Sequence, residues 1–98
     1  MKAKRKPIGT GDYIVFPRGH ALWTWEENEQ GQLLDPYVQS NAQGFKSSAL
    51  VSLEPGARGR VVEERYYNHE RLLRLRLDNT PDCVVSPGRD SLYYRRAE

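Results

Sequence analysis

The chain has 98 residues, 38% of them hydrophobic, and its 15 basic and 13 acidic side chains leave a net charge of +2. A chain of this length makes one domain with one core, and none of its apolar runs approaches the ~18 residues of a membrane span. Cys83 is the single cysteine, so an internal disulfide is excluded, and no Cys/His spacing is typical of a zinc site.

The first predicted segment is a flexible basic arm over residues 1–10, which is poor in apolar side chains. Residues 12–16 then form a predicted strand, because they are rich in β-branched and aromatic side chains and are followed by Pro17. Residues 20–48 fit neither the helical nor the strand period well, apart from an alternation at 21–25. A structureless loop longer than ~12–15 residues is usually functional or mobile, so this one either has a function or contains a hairpin.

The strand pattern becomes clearer from Ala49 onward. Leu73, Leu75 and Leu77 alternate with arginines, which is the period of a half-buried strand. Glycine and proline pairs mark turns between the apolar segments. Short strands are predicted at residues 49–53, 83–85 and 92–94, with turns at 55–56, 79–82 and 86–88.

Residues 60–77 allow two interpretations. Val62, Tyr66, His69, Leu73 and Leu77 also follow a helical spacing, and the segment is rich in residues that favour helices. A helix, however, would leave part of the leucine alternation without a buried face, and the flanking segments are predicted strands. We therefore expect a hairpin that turns at residues 67–70.

The order of these elements resembles that of SH3-like small barrels. The segment at residues 56–61, Gly-Ala-Arg-Gly-Arg-Val, is similar to the glycine turn of KOW-type modules in ribosomal and transcription-elongation proteins. Glycine tolerates a positive φ, so the chain can turn sharply there before the next strand. The resemblance covers residues 11–16 and 49–94. It implies a mainly β fold, with a single SH3-like barrel of about five strands and a long first loop in a domain spanning 11–98.

One candidate surface is rich in arginine. If the leucine face is buried, Arg74 and Arg76 point outward, and two tyrosines precede the arginine pair near the end of the sequence. Interleaved arginines and tyrosines suit phosphate contacts and base stacking, particularly with single-stranded RNA. The alternative is a solvated face whose arginines pair with acidic residues across the strands. The candidate nucleic-acid-binding residues are Arg58, Arg60, Arg71, Arg74, Arg76 and Tyr94.

A second candidate surface is the long first loop, which holds four aromatic residues and four acidic ones. These aromatics either close one end of the core, as tryptophan usually does, or anchor a partner protein, since aromatic side chains dominate interface hot spots. The nearby carboxylates would favour a basic partner. The candidate partner-binding residues are Trp23, Trp25, Tyr37 and Phe45.

No motif in the sequence indicates catalysis. The two histidines, His20 and His69, have no second ligand at a suitable spacing, and Glu63 and Glu64 would point to opposite faces of a strand. We therefore expect no enzyme, no cofactor and no metal, and a cytoplasmic location without membrane attachment. The sequence predicts a non-enzymatic binding module for nucleic acid or a ribonucleoprotein. The alternative is a protein–protein adaptor or small accessory subunit that docks through residues 20–48.

Overall fold

The computed structural model describes residues 7–36 and 49–97, so Tyr37, Phe45 and the first six residues of the predicted arm lie outside the described part of the chain. Its elements confirm the mainly β class that the sequence predicts. They are β1 (Tyr13–Phe16), β2 (His20–Trp23), β3 (Leu50–Leu53), β4 (Ala57–Tyr67), β5 (Glu70–Arg76), β6 (Cys83–Val85), α1 (Pro87–Asp90) and β7 (Arg95–Arg96).

The strands form two antiparallel sheets. The larger sheet has the order β6-β5-β4-β1-β7, and the smaller one pairs β2 with β3. A single bridge between Thr24 and Cys83 connects the smaller sheet to the edge strand β6. The edge strands β6 and β7 do not pair with each other in the described part of the chain. The sheets therefore do not close through continuous strand pairing, and the predicted barrel is not confirmed.

Strands β4 and β5 form the predicted hairpin, and the helical interpretation of residues 60–77 is wrong. The turn lies at Asn68 and His69, whose φ values of 49° and 66° are both left-handed. A two-residue hairpin loop of type I′ has positive φ at both central positions, and asparagine tolerates this better than most side chains. Leu73 and Leu75 are fully buried, as the alternation predicts, while Leu77 packs at the edge of the core.

The main core lies between the inner face of the larger sheet and the β2–β3 pair. The side chains of alternate residues on each strand meet there because successive residues of a strand point to opposite faces. Leu22 and Leu53 cover the core from the smaller sheet. The larger sheet contributes the buried side chains of Ile14, Phe16, Val61, Leu73, Leu75, Cys83 and Val85.

A second, smaller core lies on the opposite face of the same sheet. Leu72 and Val84 are buried there beneath Trp25 and Leu33. The covering segment, residues 24–36, folds back on itself through a bridge between Glu27 and Leu33. The expectation of a solvated face with arginines paired across the strands is confirmed only in part around Arg74, which pairs with Glu63 on β4 but is covered by a segment distant in the sequence.

Residues 7–10 of the predicted arm contact the domain. Ile8 packs against the main core, and its carbonyl oxygen accepts a hydrogen bond from Arg71 at 2.6 Å. The backbone N–H of Gly9 donates to Asp12 at 2.9 Å. The only helix in residues 7–36 and 49–97 is the four-residue α1, and no helix there is long and apolar enough to span a bilayer.

Candidate nucleic-acid interface

Cross-strand register gathers several arginines on the outer face of the larger sheet. Tyr13 on β1 is opposite Arg60 on β4, and Arg60 is opposite Arg76 on β5. Directly opposed residues of antiparallel strands share a face. By the same register Val15 lies between Arg58 on β4 and Arg95 on β7. We call this surface the arginine face; it consists of Tyr13, Val15, Arg58, Arg60, Arg76 and Arg95.

Tyr13 presents an aromatic ring at the edge of this face. It is 49% exposed, and the guanidinium carbon of Arg60 lies 6.0 Å from the ring centre, at the outer limit of a cation–π contact. Arg58 and Arg76 line the same shallow depression of about 360 Å³. The depression therefore combines a ring that a flat ligand can stack on with guanidinium groups that bind anions.

The charge on the arginine face is incompletely neutralised. Arg76 donates to Asp82 at 2.8 Å, which raises the pKa of Arg76 and contributes most to lowering the pKa of Asp82. Arg60 and Arg95 make no ion pair with any residue in the described ranges. Asp78 is the acidic residue among those that line the depression. The face therefore has a net positive charge and suits an anionic ligand.

Three of the six predicted nucleic-acid-binding residues, Arg71, Arg74 and Tyr94, are not part of the arginine face as defined above. Arg71 projects on the opposite face of β5 and pairs with Glu64 at 2.8 Å. The main cause that lowers the pKa of Glu64 is a hydrogen bond from the backbone N–H of Thr10. Hydrogen bonds from Arg71 to the same carboxylate add to the effect. Tyr94 is half-buried against Phe16, with ring centres 5.7 Å apart, and burial raises the pKa of its hydroxyl.

Arg74 shares the outer face but belongs to the second core. Its guanidinium lies 5.4 Å from the centre of the Trp25 ring and donates to Asp82 at 2.7 Å. The guanidinium of Arg65 lies 5.2 Å from the same ring. The indole N–H donates to Glu27 at 3.0 Å and is the main cause that lowers the pKa of this carboxyl. Arg74 therefore holds the tryptophan in place.

The aromatic loop is only partly described. Trp25 is buried in the second core, so its ring is not presented to a partner in this structure. Trp23 on β2 is half-buried and lines a small cleft beside α1 with Val84 and Arg89. Tyr37 and Phe45 lie outside the described residues. The idea of a partner site built from these four aromatics stays a prediction.

Sequence reasoning missed Tyr13 as a member of the candidate site and noted Arg95 only as part of the terminal arginine pair. Both stand in segments that the sequence identifies, since Tyr13 alternates with the core residue Ile14 and Arg95 follows the terminal tyrosines. The available signal was the alternation of β1, which places Tyr13 on the solvent side. Their position beside Arg58 and Arg60 depends on strand register, which the sequence does not show.

The described residues contain no group of three or more His, Cys, Asp or Glu side chains able to hold a metal ion. Cys83 is buried, which raises the pKa of its thiol to about 11 and keeps it protonated at neutral pH. Comparison of the chain with protein-family models, curated proteins and solved structures finds no match. The geometry of the arginine face is therefore the feature that indicates a function for this chain.

Proposed function

We propose that this chain is a non-enzymatic binding module that uses the arginine face to bind single-stranded nucleic acid. The ligand is either free RNA or the RNA of a ribonucleoprotein. One observation carries the proposal: an exposed tyrosine ring stands beside Arg60, with three further arginines on the same sheet surface. Guanidinium groups bind phosphate through paired hydrogen bonds. Aromatic rings stack on bases without sequence preference.

An SH3-like arrangement is part of the proposal. The strands from β4 to β6 are neighbours in both sequence and space, and the last strand returns to pair with β1. The glycine turn before β4 and the helical turn before β7 support it as well. We also propose a cytoplasmic location, which is consistent with a single, unpaired cysteine.

Protein docking through the aromatic, acidic loop is the alternative proposal. Trp23 is its best supported member because its side chain lies half-buried at the surface beside α1. A protein partner captured by the chain and lost on Trp23→Ala, with nucleic-acid binding unchanged, would favour this alternative.

The direct test of the main proposal is binding of fluorescently labelled single-stranded RNA and DNA oligonucleotides, followed by anisotropy. We expect affinity to fall steeply between about 50 and 200 mM salt, because phosphate contacts release counterions. The double variant Arg58→Glu/Arg60→Glu should weaken binding by at least ~10-fold and flatten the salt dependence. Both side chains are exposed on β4, so their reversal leaves the core intact.

The matched control is Arg89→Glu, to be compared with the single variant Arg60→Glu; it makes the same charge change on α1, where the arginine is exposed and pairs with Glu70. It should bind nucleic acid nearly as the unchanged chain does. Arg74 and Arg76 are less suitable for charge reversal because both pair with Asp82, and Arg74 also packs on Trp25 of the second core. Absence of binding to every oligonucleotide at low salt would contradict the proposed function.

A further inference from the structure

A groove of about 990 Å³ lies where β1 ends. Gly19 and His20 form one part of it, and Leu53 of β3 lies beside them. Tyr93 and Arg95, from the segment that follows α1, form the other side. This concave surface therefore lies between the start of β2 and β7.

Three aromatic rings form a stack at this groove, and two of them, His20 and Tyr93, line it. The ring of His20 lies parallel to Phe16 at 6.1 Å and to Tyr93 at 4.2 Å, with interplanar angles of 13° and 12°. Phe16 is completely buried, whereas Tyr93, at the outer end, is 48% exposed. The stack therefore ends in a ring that can accept one more flat group.

Hydrogen bonds hold the His20 ring in the stack. Nε2 of His20 lies 3.0 Å from a carboxylate oxygen of Asp90. The second oxygen of Asp90 accepts the backbone N–H of Ser86 at 2.9 Å. The histidine ring is thus held in its plane before any ligand arrives, which reduces the ordering that binding requires.

The positive charge around the groove favours an anionic ligand. Arg18 and Arg95 are its charged lining residues, and none of the lining residues is acidic. The nearby carboxylate of Asp90 is bound to His20. A ligand that places a ring on Tyr93 and an anionic group near the two guanidinium groups matches both features.

The groove continues the arginine face. Arg95 lines the groove and is also opposite Val15 in the strand register. Tyr13 and Pro17 are four residues apart along β1 and its end, a span of about 13 Å for extended chain. A single-stranded nucleic acid that crosses the arginine face can therefore reach the groove without leaving the protein surface.

We infer that this groove is a nucleobase-binding subsite, in which a base stacks on Tyr93 and its phosphate contacts Arg18 and Arg95. The continuation of a bound strand from the groove across the arginine face depends on the proposed function. The subsite itself requires only one nucleotide, so the two ideas can be tested separately.

The first experiment titrates the full chain with adenosine monophosphate and, separately, with ribose 5-phosphate, and follows the backbone amides by NMR. We expect the nucleotide to shift the amides of Gly19, His20 and Tyr93 and to bind at least ~5-fold more tightly than the sugar phosphate, because stacking adds to the phosphate contact. Equal affinity for the two probes, or shifts confined to other residues, would overturn the subsite.

The variants Tyr93→Ala and Tyr93→Phe identify the role of the ring. Tyr93→Ala should remove the preference for the nucleotide, and Tyr93→Phe should keep it, because the stacking surface is retained. Tyr66→Ala is the matched control, since Tyr66 is an exposed tyrosine on β4 that does not line the groove. Unfolding curves of all three variants show whether each is folded. A nucleotide preference that survives in folded Tyr93→Ala would overturn the inference.

The second experiment separates this inference from the proposed function with the same single-stranded oligonucleotides. Tyr93→Ala should weaken binding by about 5-fold or more with the salt dependence unchanged, whereas Arg58→Glu/Arg60→Glu changes that dependence. Unchanged oligonucleotide and nucleotide binding by Tyr93→Ala, with loss in the double arginine variant, would contradict the subsite alone. Nucleotide binding in the groove without any effect of the arginine variant would contradict the arginine face alone.

Discussion

Gly59 shows how closely two neighbouring strands approach each other in this domain. It is buried on β4, and a Cβ atom placed there would lie 2.9 Å from both the carbonyl oxygen of Arg76 and a methyl group of Leu75. We predict that Gly59→Ala lowers the free energy of unfolding by about 1–3 kcal/mol, the usual cost of forcing extra volume into a packed core. Urea unfolding followed by circular dichroism measures it.

The control for this substitution is Gly88→Ala. Gly88 lies in α1, where an added Cβ meets no atom within 4 Å, so the change should be neutral or slightly stabilising. Equal stability of Gly59→Ala and the unchanged chain would show that β4 and β5 separate easily, contrary to the packing described here.

Residues 24–36 form a covering segment that depends largely on one side chain. Trp25 is 6% exposed and lies against Arg65 and Arg74, with its indole N–H bonded to Glu27. We predict that Trp25→Ala lowers the free energy of unfolding by about 3–5 kcal/mol, because it removes a large buried ring and leaves a cavity. Thermal unfolding measures the change.

Trp23→Ala serves as the comparison, since Trp23 is only half-buried and its removal should cost clearly less. A Trp25→Ala variant as stable as the unchanged chain would mean that the second core does not hold the segment. The comparison also matters for partner binding, because loss of a partner in Trp25→Ala would reflect unfolding of the segment as well as loss of a contact.

The domain as a unit should be sensitive to acid. Asp12, Glu27, Glu64 and Asp82 all have lowered pKa values, caused first by a hydrogen bond from Gly9, Trp25, Thr10 and Arg76 respectively. A lowered folded-state pKa stabilises the protein above the unfolded-state value, roughly 4 for carboxyl groups, and this stabilisation is lost as the pH falls through the folded-state value. We predict that the free energy of unfolding declines progressively below about pH 5.

Asp82→Asn tests the origin of this decline. The variant should be less stable at pH 7 and should lose less stability on acidification, because the carboxylate that pairs with Arg74 and Arg76 is absent. Glu29→Gln is the control, an exposed carboxylate without an ion pair in the described ranges. An acid profile of Asp82→Asn that is parallel to that of the unchanged chain would contradict the assignment.

Local sequence patterns predict a strand where apolar and polar side chains alternate, or where a turn residue marks its end. The alternation of Leu73 and Leu75 with arginines identifies β5, and the asparagine before His69 fits the left-handed turn that precedes it. These features depend on backbone preference and on the two-residue period, which neighbouring residues alone define. The strand predicted at 92–94 is wrong, since residues 91–93 form a turn between α1 and the two-residue β7; too few residues there show a periodic pattern.

The candidate site could be predicted only in part. Arg58, Arg60 and Arg76 lie on the predicted outer face, but Arg74 does not present a free charge because Trp25 covers it. The adjacent leucines at 72 and 73 were a signal that β5 is buried on both faces, since a strand with one solvated face alternates strictly. The alternation alone nevertheless predicts one solvated face, because nothing local shows which distant segment covers the second face.

The amino-acid sequence alone therefore specifies the β class, the β4–β5 hairpin and the inward direction of its leucines. Tertiary structure brings Tyr13 beside Arg60, places residues 24–36 on the outer face and stacks His20 against Tyr93. The difference has one physical cause. Period and turn preference act between residues a few positions apart, whereas register and covering contacts join segments separated by dozens of residues and are chosen by the burial of the complete core.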